Sequence, residues 1–381
     1  MPFEAPVRWA TGVQKGITKT IVQVYTDEGI VGLGEAPGEG TKLAIDNSIK
    51  PAVIGQNPFE IERLLRTNMS GFGIWDGQID LTPFSGVEFA LWDIMGKAVG
   101  KPVCELIGGM YRDKVPFAAY IFPRYTGEGG VGGESTPESI AKYCVDMIDK
   151  YGVTTLECKL GVFPSKQEVE QIRAIREAVG EEVQIRVDPN RTWSTQTAVQ
   201  TIRAMEKYNL RNVEEPCRGL EAAARVKRAI HTPTSTHSPL LLEVCKLGVA
   251  DAITGVPYWY GGIWMTKKFA ATAEILNLGF WLESSGELGI HKAVHLHIAA
   301  STPHMIDPNQ THANHLVDDI IVGGKFKFEK GYMTVPKRAG LGVELDQDKL
   351  KKYAELYKKV GGYPSTFDDK RPSWQPLMPG W

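Results

Sequence analysis

The alternation of hydrophobic and polar residues divides the chain into two parts of different character. Near the N-terminus, segments 17–26 and 30–35 alternate in the manner of β-strands and flank an Asp-Glu-Gly turn, which predicts a hairpin. Between residues 83 and 98 the apolar side chains recur at helical spacing and predict a helix. The first part is therefore predicted to be an α+β unit.

After residue 112 the pattern changes to short apolar runs that alternate with amphipathic helical stretches. The runs predicted to be strands are 115–121, 154–160, 183–188, 211–215, 232–237, 250–255, 279–285 and 304–307. Because strands that alternate with helices form parallel βαβ units, seven or eight in succession predict a closed barrel. A doubly wound open sheet is the alternative, but no GxGxxG motif follows an early strand. The predicted fold class is α/β, a (β/α)7–8 TIM-like barrel with an α+β capping domain.

The C-terminal tail does not continue this alternation. Residues 322–346 are typical of strands and turns, and residues 362–381 are rich in proline and tryptophan. We therefore predict that the tail returns to the first part of the chain. The capping domain would comprise residues 1–112 together with 322–381, and the barrel domain would comprise residues 113–321.

Composition and charge restrict the partners that this protein can have. Its 381 residues are 43% hydrophobic and 23% charged, as in ordinary globular proteins, and the net charge is −2 without blocks of like charge. This argues against nucleic acid or an anionic membrane as the main partner. No apolar run approaches the ~20 residues that span a bilayer, and the N-terminus lacks the pattern of a secretory signal. The five cysteines are scattered without a CxxC motif, so we expect reduced thiols and a cytoplasmic protein.

Polar residues at the predicted strand ends supply the candidate chemistry, because a barrel of this type carries its active site there. These residues are Lys159, Asp188, Asn190, Glu214, Glu215, His237, Glu283 and Asp307. A lysine beside several acids can hold a base next to a divalent ion, and oxygen ligands favour Mg²⁺. Such an ion would stabilise an enolate formed by removal of a proton next to a substrate carboxylate. Acids at strand ends also cap the following helices, so the set is stronger evidence than any single position.

Several segments resemble the mandelate racemase and muconate lactonizing enzyme branch of the enolase superfamily. They are GVEFALWDIMGKAVGKPVCELIGG (86–109), RVDPNRTWS (186–194), VEEP (213–216) and GYMTVPKRAGLGVELD (331–346). GLGEAPG (32–38), DPN and PTSTH are most similar to the glucarate dehydratase subgroup. The resemblance covers nearly the whole chain and implies the same barrel with a capping domain.

The resemblance also implies roles for individual residues. Lys159 matches the second lysine of a KxK motif, which is the usual base on one face of the substrate. Asp188 and Glu214 match the first two metal ligands, and Asn190 matches a polar residue near the substrate or metal. Asp307 is matched to an acid that follows the eighth strand in the dehydratases, and it is a further catalytic candidate.

Three positions depart from the family pattern. Glu157 replaces the first lysine of KxK and is expected to contact the substrate. The third metal ligand falls on His237 or Ser238, and a nitrogen ligand suits Mn²⁺ or Zn²⁺ better than Mg²⁺. His237 could equally be a catalytic acid or base, or form only a hydrogen bond with Glu214. The usual Asp–His dyad falls on Val256 and Glu283, and Glu283 matches an acid that stabilises an enolic oxygen in lactonizing relatives.

Aromatic and histidine side chains near the strand ends complete the candidates. Trp193 and Tyr258 are predicted to line the substrate pocket, although packing of rim loops would explain them as well. His291, His295 and His297 fall at helical spacing and are predicted to be helix-face residues rather than metal ligands.

These features lead to one main functional hypothesis and two alternatives. The main hypothesis is a Mg²⁺-dependent carbon–oxygen lyase for a sugar acid, with Lys159 as base and Glu283 or His237 as proton donor to the departing hydroxyl. A cycloisomerase is favoured by Glu283, and a catalytically impaired paralogue that binds a carboxylate ligand is favoured by the missing dyad. Racemisation is not expected, because it needs a base on each face of the α-carbon. In every case the expected partner is a small-molecule carboxylate, and we expect a homo-oligomer.

Overall fold

The computed structural model describes residues 1–69 and 81–372. The strands in these ranges are β1 (Pro2–Trp9), β2 (Gly12–Gly16), β3 (Lys19–Tyr25), β4 (Val31–Pro37), β5 (Lys114–Pro116), β6 (Ala119–Ile121), β7 (Thr155–Lys159), β8 (Gln184–Asp188), β9 (Leu210–Glu214), β10 (Thr234–Thr236), β11 (Ala252–Gly255), β12 (Gly279–Leu282) and β13 (Tyr332–Thr334). The α-helices are α1 (Gly40–Ala44), α2 (Lys50–Val53), α3 (Ile61–Met69), α4 (Thr82–Val99), α5 (Val103–Leu106), α6 (Pro137–Tyr151), α7 (Ser165–Val179), α8 (Thr195–Met205), α9 (Leu220–Ala229), α10 (Leu241–Leu247), α11 (Pro257–Tyr260), α12 (Ile263–Ile275), α13 (Gly289–Ala300) and α14 (Gln347–Val360). A π-helical turn lies at Ile45–Ile49, and 3₁₀ turns lie at Glu128–Gly130 and Glu206–Tyr208.

The N-terminal part forms antiparallel hairpins that pack on α4. β1 pairs with β2, and β3 pairs with β4, which confirms the predicted hairpin. The predicted helix is α4, which ends at Gly100 in a left-handed conformation (φ 69°) that favours glycine. A Cβ atom added to Gly34 of β4 would lie 1.8 Å from the carbonyl oxygen of Gly86 in α4. The strand and the helix can therefore approach this closely only because Gly34 lacks a side chain.

The central sheet is parallel and curled, with strands β6 to β12 in sequence order, and it confirms the predicted barrel. The prediction of an eighth strand at 304–307 is wrong. Isolated parallel bridges from Met305 to Phe280 and from Asn309 to Phe117 connect β12 to the chain beside β6. Pro308 interrupts this segment and has no N–H group to donate to a regular ladder. The side-chain oxygen of Asn309 accepts the hydrogen bond from the Leu282 amide instead, at 2.8 Å.

The first predicted barrel strand, 115–121, is divided into β5 and β6. β5 pairs with β13 of the tail in antiparallel fashion, whereas β6 joins the barrel. Further along the tail, Phe367 bridges Val13 of β2, and the Trp9 indole donates to the Ser365 carbonyl at 2.7 Å. The tail thus contacts both the base of the barrel and the N-terminal hairpin. The part of the predicted tail domain at 373–381 lies outside the described residues.

A cavity of about 840 Å³ lies between β3 and α14, lined largely by apolar side chains. Most of its lining comes from the N-terminal part and the tail, with Leu288 from the loop after β12, and it includes none of the candidate catalytic or metal-ligating residues. No helix in the described part of the chain is both long and apolar enough to cross a membrane.

Candidate active site

The C-terminal ends of the parallel strands bring the predicted reacting groups into one buried layer. Lys159, Asp188 and Glu214 end β7, β8 and β9, His237 follows β10, and Glu283 follows β12. All five side chains are buried, because inward-facing residues of a closed barrel fill its interior in layers. The barrel therefore concentrates two cationic and three acidic side chains at its mouth.

Asp188 has both carboxylate oxygens occupied by protein donors. The Lys159 ammonium donates to Oδ2 of Asp188, and the two residues are direct partners in the β7–β8 register. The backbone and side-chain nitrogens of Asn190 donate to Oδ1 and Oδ2 of Asp188, each at 2.7 Å. Asn190 reaches this position with a positive φ of 50°, which asparagine tolerates better than most residues. Asp188 consequently holds and orients Lys159.

Lys159 is a protonated ammonium group in this arrangement. Burial by itself would lower its pKa, but the charges of Asp188, Glu214 and Glu283 raise it above the ordinary value for lysine. The ammonium also lies 4.7 Å from the centre of the Tyr120 ring, in cation–π geometry. Lys159 can act as a base only when the negative charge around it is offset.

His237 lies between two carboxylates. Its Nε2 atom is 3.2 Å from Oε1 of Glu214, and its Nδ1 atom is 3.0 Å from Oε2 of Glu283. Burial would lower the pKa of His237, but Glu283 and Glu214 raise it to about 10. The imidazolium form of His237 is therefore favoured while both carboxylates are ionised, and burial raises the pKa of Glu283 itself to about 7.

The same three residues could also hold a divalent ion. Among the described residues, Glu214, His237 and Glu283 each offer one ligand atom, and these atoms all lie within 4.8 Å of one another. The oxygens of Glu214 and Glu283 that face His237 are buried and lack a well-directed hydrogen bond. Two carboxylates and an imidazole thus fit a divalent metal, provided that His237 gives up its proton. Asp188 is not a member of this group, and Lys159 and Asn190 donate to its oxygens.

The structure corrects the placement of Asp307. Its carboxylate accepts from Nε and Nη2 of Arg211 at 3.2 and 3.0 Å, near the start of β9 and thus at the opposite end of the barrel from Lys159. Gln310 occupies the mouth instead: its Nε2 atom donates to Glu214 at 2.7 Å, and it accepts from the Tyr120 hydroxyl. Sequence reasoning missed Gln310 because the eighth segment is displaced from the position that a regular strand would give it.

Glu157 was predicted to contact the substrate, but it lies deeper in the barrel than Lys159, two residues earlier on β7. Its Oε2 atom is 2.7 Å from Nε of Arg186, and both side chains are fully buried. Burial raises the pKa of Glu157 to about 8, although Arg186 opposes the shift. The Arg186 guanidinium also lies 5.1 Å from the Trp281 ring. Glu157 therefore forms part of the barrel interior rather than a contact with the substrate.

The aromatic candidates are placed differently from one another. The Tyr258 hydroxyl donates to Glu35 of β4 at 2.8 Å, so Tyr258 is buried against the N-terminal part and does not line the mouth. Its neighbour Trp259 lies closer to the reacting groups, with its ring 5.5 Å from that of His237. Trp193 is buried just before α8, where its backbone bridges Cys217.

The predicted histidine cluster on α13 is a buried packing element. His291, His295 and His297 are all fully buried, as the interpretation of helix-face residues requires. His291 stacks on Phe89 of α4 at 5.1 Å, and His297 contacts the Leu341 carbonyl at 3.1 Å. Burial lowers the pKa of each of the three imidazoles, so they are neutral at pH 7.

The barrel and the layer of charged groups at its mouth define an enzyme of the enolase superfamily. Within it, the chain belongs to the mandelate racemase/muconate lactonizing enzyme family, whose N-terminal domain matches residues 1–108. The match described as enolase C-terminal domain-like covers residues 139–349. A probable glucarate dehydratase from Streptomyces coelicolor is 26% identical over 420 residues, covering 99% of this chain and 96% of the relative. The similarity to the glucarate dehydratase group is thereby confirmed.

Solved structures agree with this assignment. An enolase from Mycobacterium smegmatis complexed with tartrate superimposes with a TM-score of 0.91 at 28% identity, covering 100% of this chain and 96% of that one. An enolase from Thermobispora bispora complexed with magnesium and formate has a TM-score of 0.89 at 30% identity, covering 100% and 97%. Other relatives are sugar-acid dehydratases, a muconate cycloisomerase, and racemases or epimerases. The chain is thus similar to magnesium-containing and to dehydratase members of the family.

Proposed function

We propose that this protein is a dehydratase for a sugar acid, in which Lys159 removes the proton next to the carboxylate and water is lost from the β-carbon. The observation that carries the proposal is the position of Lys159, fixed by Asp188 at the strand ends and adjacent to the acid–imidazole group. A dehydratase needs one such base, whereas a racemase needs two. The similarity to a probable glucarate dehydratase supports the same choice.

The proton for the departing hydroxyl would come from Lys159, which becomes an ammonium group when it takes the α-proton. His237 is protonated between Glu214 and Glu283 only while no ion is bound, and as a ligand of the ion proposed below it would be neutral and could not donate this proton. Loss of water from an enolised sugar acid gives an enol that rearranges to a 2-keto-3-deoxy acid. Lys159 would thus serve both proton transfers, first as the base and then as the acid.

We also propose that Glu214, His237 and Glu283 bind a divalent ion, with Mg²⁺ as the first candidate because a related structure contains it. The bound ion would supply an electrophile for the enolate oxygen and would offset the negative charge that keeps Lys159 protonated. Asp188 matches a metal ligand of the family and stays a candidate ligand, although here Lys159 and Asn190 donate to its oxygens. Mn²⁺ and Zn²⁺ are further candidates because of the nitrogen ligand.

A cycloisomerase is the second candidate, supported by Glu283, which contacts His237 where the family dyad would place an imidazole. The experiment that decides between the two is a screen of sugar acids and of muconate, with and without Mg²⁺. Formation of a 2-keto-3-deoxy acid, detected as its semicarbazone, is the expected result. Conversion of muconate alone would favour the cycloisomerase, and binding of acids without any turnover would favour a catalytically impaired paralogue.

The first prediction concerns metal binding. Mg²⁺ at about 100 times the Kd that it has at pH 7.5 should raise Tm by about 3 °C, because an ion that binds only the folded state stabilises it. At that one fixed Mg²⁺ concentration, the rise in Tm should be larger at pH 8.5 than at pH 6.5. The pKa of His237 is raised to about 10, so protons compete with the ion throughout this range, and the competition weakens as pH rises.

Calorimetric scans of the wild type and of Glu214→Gln measure this effect. Glu214→Gln should lose the rise in Tm, whereas Glu243→Gln, an exposed change on α10, should retain it. A rise in Tm that persists in Glu214→Gln, or that does not depend on pH, would assign the ion to another place.

A further inference from the structure

His312 lies at the mouth of the barrel, two residues beyond Gln310, and takes no part in the reaction proposed above. Its ring contacts the edge of the Tyr120 ring at 4.7 Å and stacks on Phe3 of β1 at 5.9 Å with an interplanar angle of 11°. Tyr120 is the same side chain that lies beneath the Lys159 ammonium. His312 is therefore held between the N-terminal part and the barrel, beside the proposed base.

The protonation of its ring nitrogens follows from the hydrogen bonds of Ser284. The Ser284 hydroxyl donates its only hydrogen to the Glu287 carboxylate. Burial opposes ionisation of Glu287, but Lys292 brings its pKa to about 2, so Glu287 accepts and does not donate. Nδ1 of His312 lies 2.7 Å from the Ser284 oxygen. Because that oxygen has no further hydrogen to give, Nδ1 must carry the proton and donate it.

The other ring nitrogen therefore carries a lone pair. Burial lowers the pKa of His312 to about 3, so the ring is neutral and Nε2 is an acceptor only. No described residue donates to Nε2, and this atom is absent from the buried polar atoms that lack a partner. Nε2 is thus a fixed acceptor that is not fully buried, on a ring near enough to Lys159 for that charge to contribute to lowering the pKa of His312.

A fixed acceptor discriminates between ligands by their chemistry. It binds a hydroxyl group, which can donate, and it repels a carboxylate oxygen, which cannot. A ligand that lacks the hydroxyl leaves the desolvated acceptor unpaired, which is costly.

We propose that Nε2 of His312 accepts a hydrogen bond from a hydroxyl group of the substrate, and that the Glu287–Ser284–His312 chain thereby selects hydroxy acids. This inference deepens the proposed function by naming the substrate feature that is recognised. It makes His312 a binding and specificity residue and assigns no proton transfer to it.

Tartrate and succinate test the inference directly, because they are the same four-carbon diacid with and without hydroxyl groups. Calorimetric titration of the wild-type protein should give at least about 30-fold tighter binding of tartrate than of succinate. His312→Phe keeps an aromatic ring against Tyr120 and Phe3 but removes the acceptor. It should weaken tartrate binding by about the same factor and leave succinate binding unchanged.

Two further variants separate recognition from a structural effect. Ser284→Ala frees the ring to adopt either tautomer and should lose part of the preference for tartrate, whereas His231→Phe, an exposed change after α9, should lose none. Three results would each overturn the inference. The first is that the wild type binds tartrate and succinate with equal affinity, the second is that His312→Phe weakens the binding of both acids equally, and the third is that the wild type does not bind tartrate. A preference for tartrate without turnover of any sugar acid would refute the dehydratase alone.

Discussion

Lys159→Ala is expected to lower kcat for dehydration of a sugar acid at least about 1000-fold, the range that a general base commonly contributes. The same change should abolish exchange of the substrate α-proton with D₂O. Lys159 is the cation that Asp188 and Tyr120 hold at the strand ends, and alanine leaves no group there that can accept the proton.

Kinetics in H₂O and NMR of the α-proton in D₂O measure the two effects. Lys159→Arg keeps the positive charge beside Asp188 and so tests whether loss of charge alone unfolds the site, while it should remain inactive because arginine stays protonated. Lys166→Ala removes an exposed lysine of α7 and should retain full activity. Exchange that survives in Lys159→Ala would assign proton removal to another residue.

Arg186→Met is expected to lower the free energy of unfolding by about 3–5 kcal/mol, because it leaves the fully buried Glu157 carboxylate without its partner. The loss should be greater at pH 9 than at pH 6. Burial already raises the pKa of Glu157 to about 8 from its ordinary value, so in the folded variant this group is protonated at pH 6. The free energy of unfolding falls by the full amount only at pH 9, where the carboxylate is ionised without a partner.

Urea unfolding followed by tryptophan fluorescence is a suitable measurement, since Trp281 lies against Arg186. The double variant Glu157→Leu/Arg186→Met should recover most of the loss by replacing both charges with apolar groups. Arg338→Met breaks an ion pair with Glu344 that is mostly exposed, and it should cost about 1 kcal/mol or less. A loss of that small size in Arg186→Met would mean that water reaches the buried pair.

The parts of the barrel that the sequence predicted are those determined by local pattern. Strands β7 to β12 match the predicted runs to within one residue at the start of β9, because each is a short apolar segment followed by an amphipathic helix. The eighth segment was wrongly predicted to be a strand, because its place in the barrel depends on the Asn309 side chain and on isolated bridges. These are tertiary contacts, which a local pattern does not reveal. For the same reason Asp307 was predicted at the mouth of the barrel although it lies at the opposite end, and Gln310 was not predicted there.

The candidate site shows a similar division. The resemblance to the family identified the positions of Lys159, Glu214 and Glu283, which the strand ends bring together. It gave no indication that Glu157 pairs with Arg186, because that contact depends on the register between two strands. The replacement of the family lysine by Glu157 is therefore explained only together with Arg186, the residue opposite it on β8.

The register of β7 and β8 has a consequence for folding. Glu157 lies opposite Arg186, and Lys159 lies opposite Asp188. The acid is on β7 in the first pair and on β8 in the second. A slip of two residues keeps every side chain on its own face of the sheet, so hydrophobic alternation alone cannot prevent it. In one direction the slip would bury Glu157 against Asp188, and in the other it would bury Lys159 against Arg186. The four charges therefore select one alignment of the strands while the barrel assembles, independently of any role in catalysis.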